Sequence, residues 1–261
     1  MTVNTHLTSL ASNLVLSDVE KSNISTSITT LSSRLSSYFG GNINGQLQFG
    51  SSTRGTILPR RADDRSDIDY MIIFDTSGGQ RKPQSYLDRL KKFAEEKYST
   101  SIISQSNPTI VLSLNHIRFE LVPAVLNLGY LIPSPTSSWT EWISTDPTGA
   151  NQTIQDKNKA EYNQIKPLVR LIKYWNATQG YPYTSFSLER YIVSKNFFSC
   201  ISLKDYFYSF WSGFTYNSDT AQSTKDKVDR AKKYAIQAKQ YEDNDMPVNA
   251  EIEIKKIVPA L

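Results

Sequence analysis

Two aspartates, Asp67 and Asp69, stand two residues apart just ahead of the apolar run Met71-Ile72-Ile73-Phe74. Side chains alternate along a strand, so both carboxylates fall on one face. Two ionised carboxylates so placed repel each other. A hard divalent cation such as Mg²⁺ or Mn²⁺ offsets that repulsion. The D-x-D pattern is also common on protein surfaces. A third acid, Glu120, lies inside the otherwise apolar stretch Ile117-Arg118-Phe119-Glu120-Leu121-Val122-Pro123-Ala124. A buried acid is costly unless it is paired or metal-bound. Two readings therefore stand for Glu120: a salt bridge to an arginine from another element, or a third metal ligand from a neighbouring strand. Three carboxylates can hold two Mg²⁺ ions roughly 3.5–4 Å apart. One metal would lower the pKa of an attacking hydroxyl, and the other would hold a triphosphate and stabilise leaving pyrophosphate.

Ahead of the aspartates comes Gly50-Ser51-Ser52-Thr53-Arg54-Gly55-Thr56. It follows a short strand pattern and opens a helical turn. Glycine lets the backbone come close to an anion, and free N–H groups at such a turn bind phosphate. The hydroxyls of Ser51 and Ser52 can add donors. A plain Gly/Ser turn has the same appearance. It is not a Walker A loop, because no G-K-[ST] is present. Arg54, Arg60, Arg61 and Arg65 follow in the same stretch. They either neutralise phosphate or form a solvated loop. The order is what carries weight: strand, Gly-Ser, polar loop, Ser-Asp-Ile-Asp on a strand, then an acid on a later strand.

The elements that must hold these residues are legible as α+β. Residues 17–38 predict a long helix, because Ser17 and Glu20 have capping-box spacing and Ile24, Ile28, Leu31, Leu35 and Tyr38 form one apolar stripe. Residues 47–49 and 68–74 predict strands, and 84–98 a charged helix. Residues 110–114 and 117–125 predict paired strands, and Pro133 and Pro135 a loop. From residue 156 the chain turns helical, with helices expected near 165–175, 185–198, 203–211 and 221–241. The expected division is a catalytic core with its N-terminal helix at 1–150 and a helical lobe closing a nucleotide cleft at 151–261.

Composition sets outer bounds. A chain of 261 residues can bury a real core, as one large domain or two lobes. The net charge of +4 is compatible with a nucleotide but hardly provides the broad basic surface that work on RNA favours. One cysteine, Cys200, allows no intrachain disulfide, which fits a reducing cytoplasm; its apolar surroundings suggest a core residue. His6 and His116 lie far apart, so a His/Cys zinc site is not expected. The N-terminal residues lack signal-peptide character, and no apolar run is long enough to span a membrane.

The set F-G-S-S-T-R-G-T, S-D-I-D-Y-M-I-I-F and R-F-E-L-V-P-A resembles the polymerase-β-like nucleotidyltransferase superfamily. Within it, the likeness is to the bacterial cGAS/DncV-like nucleotidyltransferases (CD-NTases of SMODS type), which make cyclic oligonucleotide signals in anti-phage defence. Three further stretches resemble that branch: Leu171-Ile172-Lys173-Tyr174-Trp175-Asn176, Ser185-Phe186-Ser187-Leu188-Glu189, and residues 230–259. The resemblance covers roughly residues 40–261, and more weakly the N-terminal helix. It implies a bilobed molecule: a polymerase-β-like core of a small mixed sheet, an N-terminal spine helix and a helical C-terminal lobe. It also implies that Gly50 and Ser51 hold the β- and γ-phosphates, that Asp67, Asp69 and Glu120 bind the metals, and that Lys173 and Ser185 grip the triphosphate. Most relatives have Asp where Glu120 stands. Asn163, read as early in the spine helix of the C-terminal half, would face the base, and an Asn in this region goes with a pyrimidine preference in some relatives. Tyr181 and Tyr183 could stack on a base or pack in a core.

The function these readings imply is an NTP- and Mg²⁺-dependent (or Mn²⁺-dependent) cyclic di- or oligonucleotide synthase of CBASS-type defence. It would be a cytoplasmic monomer without membrane or nucleic-acid partners, and its effector would respond to the product. Transfer to RNA 3′ ends or to a protein hydroxyl is one alternative. A non-catalytic nucleotide-binding module is another.

Overall fold

The two strands that carry the acids lie side by side and parallel. In the computed structural model, which describes residues 2–136 and 141–261, β2 (Asp67–Phe74) pairs with β5 (Arg118–Leu126). On the other side of β2 runs β1 (Ile43–Phe49), antiparallel. On the other side of β5 runs β4 (Thr109–Ser113), and beyond it β3 (Ile102–Ser106), both antiparallel to their neighbours. The sheet order is therefore β1-β2-β5-β4-β3, with β6 (Tyr130–Pro133) and β7 (Trp142–Thr145) continuing from the far end of β5. A parallel pair needs a long crossover. Here the crossover contains α4 (Pro83–Lys97) and the β3–β4 hairpin.

The two faces of β2 and β5 have different fates. Ile68, Ile72 and Phe74 on β2, with Phe119, Leu121 and Val125 on β5, are buried. This face meets helices: Phe74 makes edge and tilted ring contacts with Phe39 of α2 (Asp18–Phe39) and Tyr86 of α4, at 5.3 and 4.8 Å between centroids. α2 begins with the expected capping box of Ser17 and Glu20 and buries Ile24, Leu31, Leu35 and Phe39. The opposite face starts with the acids and continues as an apolar cluster of Met71, Ile73 and Ala124, backed by Leu47, Phe49, Tyr130 and Ile132.

The chain groups into two units. The sheet unit holds Ser17–Arg60 and Arg65–Gln152; the helical unit holds Met1–Leu16, Arg61–Asp64 and Thr153–Leu261. The expected division at residue 150 put the whole N-terminus with the sheet. In the structure residues 1–16 group with the helices instead. The reason is a helix not anticipated from sequence, α1 (Val3–Asn13), which buries Val3, Leu7, Leu10 and Ala11 and packs on α6 (Ile165–Thr178), α8 (Leu203–Gly213) and α10 (Pro247–Ile257). His6 Nε2 lies 2.9 Å from the Val258 carbonyl, tying the same helix to the chain after α10.

Other elements of the helical unit differ from expectation in their ends. α5 (Pro147–Ala160) starts nine residues before 156 and crosses from one unit into the other. α7 (Ser185–Ser194) stops where Lys195 turns extended, before the predicted 198. α9 (Gln222–Asp243) is followed by a further helix, α10, beyond the expected 221–241. Pro133 ends β6 rather than marking a loop. Cys200 is only half-buried, and its neighbours Phe198 and Ile201 are both 82% exposed, so Cys200 is not a core residue. The centre of the unit is aromatic: Trp175 and Trp211 meet edge-on at 4.8 Å. Among the described residues no helix is long and apolar enough to cross a membrane.

Arg61–Asp64 interrupts the sheet unit in sequence, just before Asp67, and belongs to the helical unit. Within that unit the Tyr181 hydroxyl is 2.7 Å from an oxygen of Asp63 and 2.7 Å from one of Asp64, and Arg61 donates to the Asn13 carbonyl at 2.9 Å. Burial, and then hydrogen bonding to the two aspartates, push the Tyr181 phenol well above its ordinary pKa, so it stays a donor.

Two stability measurements check this account. Phe119→Ala removes a fully buried ring between Arg118 and Glu120; it should lower unfolding free energy by about 3–5 kcal/mol in a urea titration. Tyr181→Phe removes the donor shared by Asp63 and Asp64; it should cost about 1–2 kcal/mol in the same assay.

Candidate active site

The parallel register fixes which charges meet. Asp67 lies opposite Arg118, and Asp69 opposite Glu120. Period-two alternation then puts Asp67, Asp69, Arg118 and Glu120 on one face of two neighbouring strands. All four are half-buried, while Ile68 and Phe119 between them are fully buried on the other face. The expectation that Glu120 sits beside the aspartates on a neighbouring strand matches this geometry. The salt-bridge reading is also realised, but the arginine comes from Glu120's own strand rather than another element. Arg118 Nη2 lies 3.0 Å from Asp67 Oδ2 and 3.4 Å from Glu120 Oε1.

Two of the three acids, Asp67 and Glu120, share one guanidinium. Burial first, then the negative charge of Asp67, push the Glu120 carboxyl up to about 7, while Arg118 pulls the other way. The site is short of positive charge. A hard divalent cation suits that donor set, since carboxylate oxygens are its preferred ligands. Among the described residues no three His, Cys, Asp or Glu side chains close on a single metal position. Mg²⁺ does not require such a cage. It is usually held by one or two carboxylates with substrate phosphates and water completing the shell. Asp67 and Asp69, with Glu120 beside them, would hold the cation in that manner.

The glycine turn meets this face directly. Phe49, the last residue of β1, pairs with Asp69, and Gly50 follows with φ 78° and ψ −158°. That conformation is reserved for glycine. A Cβ on Gly50 would lie 1.7 Å from Asp69 Oδ2, so only glycine lets the turn pass over the carboxylate. The one-turn helix α3 (Ser51–Arg54) follows. The first N–H groups of a helix have no intrahelical partner, and here they come directly after the turn on Asp69. The Ser52 hydroxyl is engaged inside the turn: it donates to the Phe49 carbonyl at 3.2 Å and accepts from Gln48 at 3.0 Å. Ser52 therefore shapes the loop. Thr53 exchanges hydrogen bonds with Asn151 and donates to the Gly50 carbonyl. Arg54 is buried at the end of α3, and Arg65 offers its carbonyl to Arg118 at 2.9 Å.

The remaining candidates lie in the helical unit. Lys173, on α6, is buried, with Nζ 3.9 Å from Glu189 Oε1 on α7. Ser185 is the first residue of α7, one step after its N-cap Thr184, whose hydroxyl accepts from Ser187 N at 3.2 Å. Asn163 is not in the spine helix. It occupies the turn between α5 and α6 at φ 62°, a left-handed conformation that Asn tolerates better than most residues. Its amide oxygen accepts from Asn158 at 2.9 Å, so the oxygen is committed to closing that turn. Tyr183 packs edge-on against Phe214 at 5.4 Å, and Tyr181 is held by Asp63 and Asp64, so neither ring stands clear.

Arg118 is the site residue that reading by motif passed over. Its signal was present: R-x-E on a strand puts arginine and glutamate on one face. The register with β2 was needed to show that Asp67 would be its second partner.

The model of the Second Messenger Oligonucleotide or Dinucleotide Synthetase domain matches residues 1–158. A probable cyclic nucleotide synthase of Bacillus cereus strain VD146 is 26% identical over 208 residues, which is 64% of this chain and 57% of that protein. The chain thus matches less than two thirds of the curated relative's length. Among solved structures, the Vibrio cholerae di-nucleotide cyclase DncV in complex with GTP superposes with a TM-score of 0.75 at 12% identity, covering 98% of this chain and 96% of that one. The Escherichia coli MS115-1 protein CdnC with ATP gives 0.73 at 15% identity, over 98% of both chains. The CD-NTase CdnG of Bradyrhizobium diazoefficiens in complex with GTP gives 0.71 at 11%, again over 98% of both. At such identities the likeness is one of fold. Taken with the domain match, which spans more than half the chain, it identifies the protein as a member of the second messenger oligonucleotide or dinucleotide synthetase family, with the polymerase-β-like fold of the CD-NTases.

Proposed function

We propose that this chain is a nucleotidyltransferase that joins NTPs into a cyclic di- or oligonucleotide second messenger in bacterial anti-phage (CBASS-type) defence. The observation that carries the reading is the parallel register that sets Glu120 against Asp69, with Asp67 on the same face and Gly50 passing over Asp69. Relatives of this fold were solved with GTP or ATP, which supports NTPs as substrates.

Asp67, Asp69 and Glu120 fit Mg²⁺ or Mn²⁺. Such a cation supplies charge neutralisation of the triphosphate and a more acidic acceptor hydroxyl when bound. The residues themselves position the reactants. Gly50 and Ser51 present backbone N–H groups and a hydroxyl to the β- and γ-phosphates. Lys173 and Ser185 of the helical unit contribute a charge and a hydroxyl to the triphosphate. In the reaction a ribose hydroxyl oxygen bonds to the α-phosphorus, the α–β bridging P–O bond breaks, and pyrophosphate leaves. A second transfer of the same kind closes the ring. The protein works in the cytoplasm as a monomer, and a separate effector responds to the product.

The test is incubation of purified protein with four labelled NTPs and Mg²⁺ or Mn²⁺, followed by phosphatase and mass spectrometry. A phosphatase-resistant cyclic product is expected, and Asp67→Asn or Asp69→Asn should abolish it. Extension only of added RNA or protein would redirect the reading to those acceptors. Absence of product with either metal, with nucleotide affinity unchanged in Asp67→Ala and Asp69→Ala, would sink the catalytic reading. Gly50→Ala should lower kcat on the order of 100-fold while the protein stays folded, because the added methyl displaces the Asp69 carboxylate.

A further inference from the structure

Arg118 is placed where a site for a divalent cation would be expected to keep its oxygens free. Its Nη2 lies 3.0 Å from Asp67 Oδ2, 3.4 Å from Glu120 Oε1 and 2.9 Å from the Arg65 carbonyl. That nitrogen carries two hydrogens for three oxygens, so the grip is shared and no carboxylate receives the two-point fork that makes Arg–carboxylate pairs strong. Arg118 Nε is buried and has no hydrogen-bond partner among the described residues. An unmet buried donor raises the energy of this arrangement and makes leaving it easier. Side chains of Arg118, Asp67 and Glu120 are about a quarter exposed, at 26%, 25% and 25%, so solvent and ions reach them.

We propose that Arg118 is a resident counter-ion: it holds Asp67 and Glu120 together in the metal-free protein, competes with a free divalent cation for the same oxygens, and gives way when the cation arrives with a nucleotide. The inference rests on the metal-binding reading of the site given above. Its physical content is a competition between one guanidinium and one divalent cation for two carboxylates. A cation alone must displace the arginine and leave its charge unpaired beside the metal. A cation carrying a triphosphate brings negative charge that the displaced guanidinium can pair with. Arg118 thereby weakens loading of bare metal and couples loading to nucleotide. It is a positioning residue rather than a catalytic one.

The experiment is Mn²⁺ binding to the full chain, followed by electron paramagnetic resonance, without nucleotide and with a non-hydrolysable NTP. Arg118→Met removes the charge, and Arg118→Lys keeps the charge on a shorter side chain that no longer spans the bridged oxygens. Without nucleotide, both variants should bind Mn²⁺ about three- to fivefold more tightly than the parent protein. With the NTP analogue the difference should shrink. Equal affinity of all three proteins overturns the proposal. So does a gain confined to Arg118→Met, which would assign the effect to charge at a distance and not to the bridging contacts. If Arg118→Met does not fold, as judged by circular dichroism, Arg118→Lys decides alone. The readout separates this idea from the proposed activity: changed Mn²⁺ affinity without any nucleotide product sinks the activity and leaves the counter-ion role standing, and product without changed affinity does the reverse.

Discussion

The parallel pairing of β2 with β5 is the constraint on which the rest of the site depends. It sets Asp67 against Arg118 and Asp69 against Glu120. A slip of one residue would send either set of charges to the other face, where Phe39, Phe74 and Tyr86 are packed. The register is held because that face is buried and, apart from the Tyr70 hydroxyl that donates to Gln46, apolar. Ile68 and Phe119 are as necessary to the acids as any polar neighbour, since they leave only one direction in which the carboxylates can point.

The acid-bearing face changes character along its length. At one end stand three carboxylates and a guanidinium; farther along the same face, Met71, Ile73 and Ala124 form an apolar cluster. The charged end is the end reached by the Gly50 turn, because β1 is antiparallel to β2 and finishes at Phe49, opposite Asp69. Strand direction thus delivers a strained glycine turn and the start of α3 to the same place as the acids. The Glu120 carboxyl is pushed up because burial first, and then Asp67, outweigh Arg118. A group of like charges is kept close here by a scaffold that gains its stability elsewhere.

What could be read in advance was local. The capping box of Ser17 and Glu20 and the apolar stripe of α2 are signals contained within one helix, and the helix starts where they place it. The D-x-D strand, the glycine turn and the acid within an apolar strand are equally short-range. What escaped was less local. α1 carries no strong start or stop beyond Thr2 and is stabilised by burial against α6, α8 and α10. β3 is an edge strand of Ser and Gln with Ile102 76% exposed, so alternation had little contrast to show. Asn163 looked like part of a helix because its neighbours are compatible with one. Its left-handed backbone and the hydrogen bond from Asn158 end that possibility. Arg118 was in view but could not be given a partner.

The sequence by itself determined the residue types and their phase: two carboxylates on one face of a strand, a third on another, and a glycine at a turn where the backbone can come close to an anion. Spacing along a single element is set by backbone geometry, so it needs no fold to be read. Tertiary structure alone decided that the two strands run parallel in the register that joins Asp69 to Glu120. It also decided that Arg118 stands between Asp67 and Glu120, and that residues 1–16 and 61–64 belong with the helices. Those are contacts between residues distant in the chain. They follow from how buried faces match across elements, which no local pattern encodes.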